Sequence, residues 1–162
     1  MDDKSFIEAH LYKKIKETLP IPTVDVVIFN SDFSKILLFK RNNPPLKDKY
    51  YSIGGRMHKM ESFLDCAVRK VKEEIGIDIN KNSLVKSGVN SEEFEENGIE
   101  YHFINIYFYF ILKENSNLIL DSQHSKFKWF DFDDKEFHPY IKEKIIKCTK
   151  MKNEKWKMKI KF

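Results

Sequence analysis

Between Gly54 and Ile77 the sequence reads GGRMHKMESFLDCAVRKVKEEIGI, and its charged residues fall at spacings that suit a metal ion. Glu61 follows Gly55 by six residues, Arg69 follows Glu61 by eight, and the adjacent acids Glu73 and Glu74 stand just before Gly76. On a helix Arg69 and Glu73 are i,i+4 neighbours, and so are Lys70 and Glu74. The paired acids gather at the C-terminal end of that helix, where the macrodipole disfavours negative charge, so a compensating cation is expected. Carboxylate and carbonyl oxygens suit a hard divalent ion such as Mg2+.

Other candidates lie outside this stretch. Asp25 interrupts the apolar run TVDVVIF. It is either a solvent-facing acid on a half-buried sheet or a carboxylate aimed into a cleft. Arg41 ends the run KILLFKR as a surface charge or as a fork for a phosphate. Gln123 and His124 sit in DSQHSK, a polar loop between two apolar runs, where reactive groups are often placed. His10 reads as a surface or interface residue, His102 as structural, and His138 as a surface residue at a helix start.

The elements that must position these groups follow from periodicity. Phe63, Ala67, Val71 and Ile75 form an apolar stripe, so residues 61–76 are read as an amphipathic helix. Residues 3–19 read as a first helix, stopped by Pro20 and Pro22. Residues 23–29 and 35–41 form a hairpin, and Tyr50–Ile53 is a short strand feeding the double glycine. Residues 84–95 read as a strand decaying into an acidic loop, EEFEEN. Residues 101–112, YHFINIYFYFIL, are the strongest strand, and FKWFDF is another. Asp133 and Asp134 are placed to cap a helix over about 135–149. The tail 155–162 alternates lysine with Trp156, Met158, Ile160 and Phe162, which predicts an edge strand or dimer contact. The order of elements implies one α+β domain over 1–162 with a mixed sheet.

The composition is that of a soluble chain with a real core, 41% hydrophobic and 33% charged. No apolar run is long enough to span a membrane, and MDDKSFIEAH is too charged for a signal peptide. Cys66 and Cys148, lacking metal-ligand spacing, point to a reducing cytoplasm. The net charge of +4 comes from scattered lysines, which suits an anionic small molecule better than nucleic acid. The tail lacks the stacking platform that nucleic-acid binding would require.

The central stretch resembles the Nudix box, G-x5-E-x7-R-E-U-x-E-E-x-G-U, where U is a bulky aliphatic residue. Gly55, Glu61, Arg69, Val71, Glu73, Glu74, Gly76 and Ile77 match it. Lys70 departs: it stands where the pattern has a metal-binding glutamate, removing one carboxylate and adding a cation within reach of Glu74. The rest of the chain, to about residue 134, resembles the GDP-mannose mannosyl hydrolase branch of the family, in which that position is not acidic either. The markers are the Asp25 strand, KRNNPP, GGRM, the HF opening of the long strand, and DSQHSKFKWF.

The resemblance implies an α/β/α sandwich carrying the box helix. It also implies a Mg2+- or Mn2+-dependent hydrolase that places water on the anomeric carbon of a nucleoside diphosphate sugar. By that resemblance His124 is the general base and Asp25 the acid facing the developing cation. Gly54 through its carbonyl, Glu74 and Gln123 are metal ligands, with Glu73 assisting through water. Arg41 and Arg56 contact the diphosphate, Arg69 is the box arginine, and Phe103 stands where the branch often has a tyrosine. A homodimer is implied as well. Two alternatives stay open: pyrophosphate cleavage of another nucleoside diphosphate derivative, and a Nudix-fold binding module that has lost catalysis through Lys70.

Overall fold

Strand β1 (Ile21–Phe29) is apolar on both faces, and the architecture follows from that. Val24, Val26 and Ile28 pack on one side and Val27 and Phe29 on the other, and none is more than 1% exposed. A strand buried on both faces needs a layer on each side. The computed structural model describes residues 7–134 and 137–160. In it α2 (Phe63–Ile75) covers the first face with Ala67, Val71 and Ile75, and α3 (Pro139–Ile160) covers the second with Ile141, Ile145 and Cys148. The fold is α+β, a mixed sheet between helices.

The strand order is β3 (Tyr50–Tyr51), β2 (Lys35–Arg41), β1, β6 (Ile99–Ile111), β5 (Val85–Glu96). β4 (Ile53–Arg56) also pairs with β1, and β7 (His124–Asp131) with β2. β1 is antiparallel to β2 and β4 and parallel to β6. The β1–β4 register sets Asp25 opposite Gly54, which brings a strand acid to the double glycine. The box helix is capped at both ends: the Ser62 side chain accepts from the Asp65 amide, and Gly76 takes the left-handed conformation at φ 74°.

Several sequence expectations need correction. The first helix, α1, runs only from Ala9 to Thr18, and residues 3–6 of the expected span lie outside the described residues. Phe63, placed on the apolar stripe, is 42% exposed; Cys66 fills the core instead. The acidic run EEFEEN does not decay into a loop. Glu92–Glu96 stay paired with β6, and the reversal comes at Asn97 and Gly98, both at positive φ. Asn-Gly is a hairpin turn signal, so the acids on either side of Phe94 belong to a two-stranded ladder.

The last helix begins at Pro139, later than the expected 135, and Asp133 and Asp134 do not cap it. His138 does so: its Nδ1 accepts from the Tyr140 amide at 3.3 Å. Proline suits the first helical position because it lacks the N–H that would go unpaired there. The helix then passes through 149 to Ile160. The tail is therefore helical over 155–160, not an edge strand, and 161–162 lie outside the described residues. No Gly or Pro interrupts the chain after Pro139, and Lys, Met and Glu propagate a helix, so eight alternating residues do not overturn it. The strand-based argument for a dimer contact at the tail goes with it. No helix among the described residues is long and apolar enough to cross a membrane. Cys66 and Cys148 are both free and buried.

Candidate functional site

A cavity of about 320 Å3 opens at the end of the sheet where β1, β4, β5 and β6 meet. The cations Lys16, Arg41, Arg56 and Lys70 and the acids Asp25 and Glu92 line it. Tyr12, Phe94, Tyr101 and Phe103 supply aromatic walls, with Phe94–Phe103 and Tyr101–Phe103 centroids 6.0 and 6.3 Å apart. Thr23 and Asn105 sit beside them. Asn105 Nδ2 donates to Thr23 Oγ1 at 2.9 Å, and Oδ1 has no partner among the described residues.

The double glycine is a matter of space. A Cβ at Gly54 would fall 2.3 Å from Asp25 Oδ1 and 2.5 Å from the Val24 carbonyl oxygen; at Gly55 it would press on the Lys70 stem at 3.0 Å. Of the ten residues singled out from the sequence, Asp25, Arg41, Gly54, Arg56, Phe103 and Gln123 line the cavity.

Glu74 and His124 stand just behind the wall, each buried. His124 Nε2 is 3.7 Å from Glu74 Oε2, and the Gly54 amide donates to that same oxygen at 3.3 Å. Glu74 Oε1 is 2.6 Å from Lys70 Nζ, a close ion pair that lacks hydrogen-bond alignment. Burial pushes the Glu74 carboxyl up, to about 7, with Lys70 acting in the opposite sense. For Lys70, burial pulls the ammonium down, but Glu74 and Glu73 outweigh it and the net direction is up.

His124 opens β7 at the end of the polar loop. Its Nδ1 lies 3.0 Å from Asp121 Oδ1. A carboxylate only accepts, so Nδ1 carries the proton and the neutral ring keeps its lone pair on Nε2. Burial lowers the His124 pKa, against the pull of Asp121. That lone pair and the Glu74 carboxylate face each other with no hydrogen bond between them.

Arg69 and Glu73 do not line the cavity. Arg69 grips Glu61 through Nε at 2.6 Å and Nη2 at 2.9 Å, reaches Glu73 at 3.1 Å, and donates to the Arg56 carbonyl at 3.2 Å. The Arg69 hydrogen bond holds the Glu61 carboxyl down, at about 2. This fork ties α2 to the turn after β4 and so fixes where Arg56 leaves the sheet. Glu73 is half exposed and held by Arg69 and Lys70.

Residues 19–147 match the NUDIX domain family. The chain belongs to the Nudix hydrolase family. It is 28% identical over 134 residues to the low-salt glycan biosynthesis protein Agl8 of Haloferax volcanii, covering 80% of this chain and 83% of that one. It is 30% identical over 128 residues to the dihydroneopterin triphosphate diphosphatase of Haemophilus influenzae, covering 78% and 71%. A MutT NUDIX hydrolase from Burkholderia pseudomallei superimposes with a TM-score of 0.67 at 19% identity, over 80% of this chain and 98% of that one. The chain spans only 12% of a Saccharomyces cerevisiae m7GpppN-mRNA hydrolase that it also matches at 29% identity over 123 residues.

Nudix hydrolases generally use divalent metals such as Mg2+ or Mn2+. The Nudix box here offers one buried carboxylate, Glu74, with Oε1 paired to Lys70 Nζ at 2.6 Å and Oε2 taking one hydrogen bond, from the Gly54 amide at 3.3 Å. Gly54 and Gln123 add neutral oxygens beside the cavity. Among the described residues no three His, Cys, Asp or Glu side chains converge into a cage. This set suits one hard ion held partly by neutral oxygens and does not suit a multi-metal carboxylate cluster.

Sequence reasoning did not single out Glu92, Tyr51 or Lys144, which close the cavity floor. Lys144 Nζ lies 2.6 Å from Asp25 Oδ2 and 2.8 Å from Glu92 Oε1, and Tyr51 OH donates to Glu92 Oε2 at 3.0 Å. Burial pulls the Lys144 ammonium down, but the two carboxylates outweigh it and the net shift is upward. Burial also pushes Glu92 up, with Lys144 opposing. The signal was present in the sequence: Lys144 shares a helical stripe with Ile141, Ile145 and Cys148, and a lysine inside an apolar stripe must find a buried partner.

Proposed function

We propose that this chain hydrolyses a nucleoside diphosphate sugar, GDP-mannose foremost, to nucleoside diphosphate and free sugar by attack of water at the anomeric carbon. The observation that carries this reading is the distribution of charge around the cavity. Only one box carboxylate, Glu74, is buried at the site, and the neighbouring position is the Lys70 ammonium. A second carboxylate, Asp25, lines the same cavity as Arg41 and Arg56. Attack at phosphorus by several metals calls for clustered carboxylates. Departure of an intact diphosphate calls for cations around the leaving group and an anion near the sugar carbon.

Each residue then has a task. Arg41, Arg56 and Lys70 bind the diphosphate and stabilise its growing charge. Asp25 faces the oxocarbenium-like carbon. His124, with Nδ1 pinned by Asp121, accepts the water proton at Nε2. Glu74, the Gly54 carbonyl and the Gln123 side-chain oxygen would hold one Mg2+ or Mn2+, with Glu73 assisting through water; bound there, the ion supplies further positive charge for the leaving group. Arg69 acts by holding the Arg56 turn, and Phe103 walls the nucleotide side. The glycan-biosynthesis role in the name of the Haloferax relative is in keeping with a sugar substrate. The reading further takes the protein to be a cytoplasmic homodimer.

Pyrophosphate cleavage is the second reading, favoured by the 30% identity to a diphosphatase. Hydrolysis of GDP-mannose in 18O-labelled water separates the two. Label in the sugar, with GDP released and the anomeric centre inverted, supports attack at carbon. Label in phosphate, with GMP and mannose phosphate as products, replaces it by the second reading.

A further inference from the structure

Lys144 is wholly buried, yet it comes from α3, an element outside the Nudix box, and both of its acidic partners line the cavity. Its Nζ lies 2.6 Å from Asp25 Oδ2 and 2.8 Å from Glu92 Oε1, and 4.8 Å from the centroid of the Tyr51 ring. Ser52 Oγ donates to the same Asp25 oxygen at 2.8 Å. Oδ2 is thus taken by two donors on the protein side, and Oδ1, beside Gly54, is the oxygen left for the cavity.

Stability alone gives no reason for this arrangement. Burying this cluster removes three charges from water, and apolar side chains of similar volume in place of all three would pack at least as well. What the arrangement achieves is orientation. A carboxylate whose inner oxygen is held from two directions has its χ angles fixed and its outer oxygen aimed. We propose that Lys144 is a positioning residue for Asp25, with Glu92 and Tyr51 holding the ammonium in place from the far side. The α3 helix thereby becomes part of the reaction apparatus without touching the substrate. The inference rests on the reading of Asp25 as the cavity acid.

The test is a double-mutant cycle in the full chain, with GDP-mannose and Mg2+ as the assay and GDP affinity measured by calorimetry. Lys144→Met should lower kcat by about 100-fold, the loss typical of a misplaced reacting group, with KM and the GDP Kd held within about threefold. In an Asp25→Asn background the same change should cost less than about threefold, because coupled residues are not additive. Lys144→Arg should recover part of the lost kcat. Should Lys144→Met fail to fold, Lys144→Met/Glu92→Gln, which keeps the cluster's net charge, carries the same cycle with and without Asp25→Asn.

Equal losses in both Asp25 backgrounds would overturn the proposal. So would a well-folded Lys144→Met/Glu92→Gln protein with the turnover of Glu92→Gln alone. If the wild type ignores GDP-mannose but turns over ADP-ribose, the proposed function fails, and the cycle on ADP-ribose decides the role of Lys144 by the same pattern. A wild type inert to both would overturn both.

Discussion

Two helices, on opposite faces of one sheet, each bring a buried lysine to the same cavity, and in each case the lysine meets two carboxylates. On the α2 side Lys70 meets Glu74, which is buried, and Glu73, which is half exposed. On the α3 side Lys144 meets Asp25 and Glu92, with its own side chain 0% exposed. The α2 cluster is loose. Its Glu74 Oε1, 2.6 Å from Lys70 Nζ, lacks an aligned hydrogen bond, and the other oxygen, Oε2, lies 3.7 Å from an imidazole nitrogen with no hydrogen-bond partner among the described residues. In the α3 cluster Ser52 donates to Asp25 Oδ2 and Tyr51 to Glu92 Oε2. Glu92 Oε1, 2.8 Å from Lys144 Nζ, lacks an aligned hydrogen bond just as Glu74 Oε1 does, so the two sides differ at the unpartnered His124 Nε2. An unpartnered nitrogen suits a place where a water, proton or metal must come and go, and carboxylates held from several directions suit a fixed frame. On this reading the motif-bearing side of the sheet is where groups exchange and the motif-free side is where they are held.

The comparison breaks most directly at His124. His124→Gln should lower turnover by about two to four decades, the range of a lost general base, while leaving the melting temperature close to that of wild type. A comparable loss of stability would make the α2 side a frame as well. The second test concerns the α3 side. Lys144→Met strands two buried acids, and chemical denaturation should report a loss of about 3–5 kcal/mol. A loss below about 1 kcal/mol would mean that the floor is open to water.

Glu61 sharpens the contrast from the acid side. Its pKa is held down at about 2 by Arg69, against 4.5 for an ordinary glutamate. Between those values the unfolded chain binds more protons than the folded one, so stability rises with pH. The contribution is complete above about pH 4.5 and lost as pH falls through about 2. Glu61→Gln should remove about 2 kcal/mol at pH 7, the scale of a charge-assisted hydrogen bond, and flatten that acid limb in thermal melts. An unchanged limb would reassign it to another acid. The smallest effect is expected at Lys70. Lys70→Glu restores the usual box, yet GMP release from GDP-mannose should rise by less than about threefold, since a single restored carboxylate adds no aligned frame. A large gain would favour pyrophosphate cleavage.

Legibility differed between the two sides in the same way. The box helix, the β1–β2 hairpin, the β6 strand and the α+β class were readable because charge spacing, apolar periodicity and β-branched runs all agreed there. At Asp25 the residues alone favoured a solvated acid over a cleft acid, because charges on strands are usually solvated. Only the β1–β4 register, with Gly54 opposite, sets it in a cavity. Lys144 was legible in principle from its stripe, but its partners lie 119 and 52 positions upstream, and nothing local names them. The tail misled because two-residue alternation in a short window is outweighed by helix continuing from Pro139 without a breaker. The Asn97–Gly98 turn shows the converse: a two-residue signal with a definite backbone cause outweighed the acidic composition around it.

The place of Lys144 in the last helix also orders events as the chain is made. Asp25 and Glu92 leave the ribosome first and remain hydrated, where an unpaired carboxylate is at no disadvantage. The dehydration that would penalise them comes only when α3 packs on the sheet, and α3 brings the counter-ion with it. Closing the floor of the cavity and neutralising its acids are therefore one step, taken only after Lys144 has been made. Until then the nascent protein has a box helix but a floor still open to water.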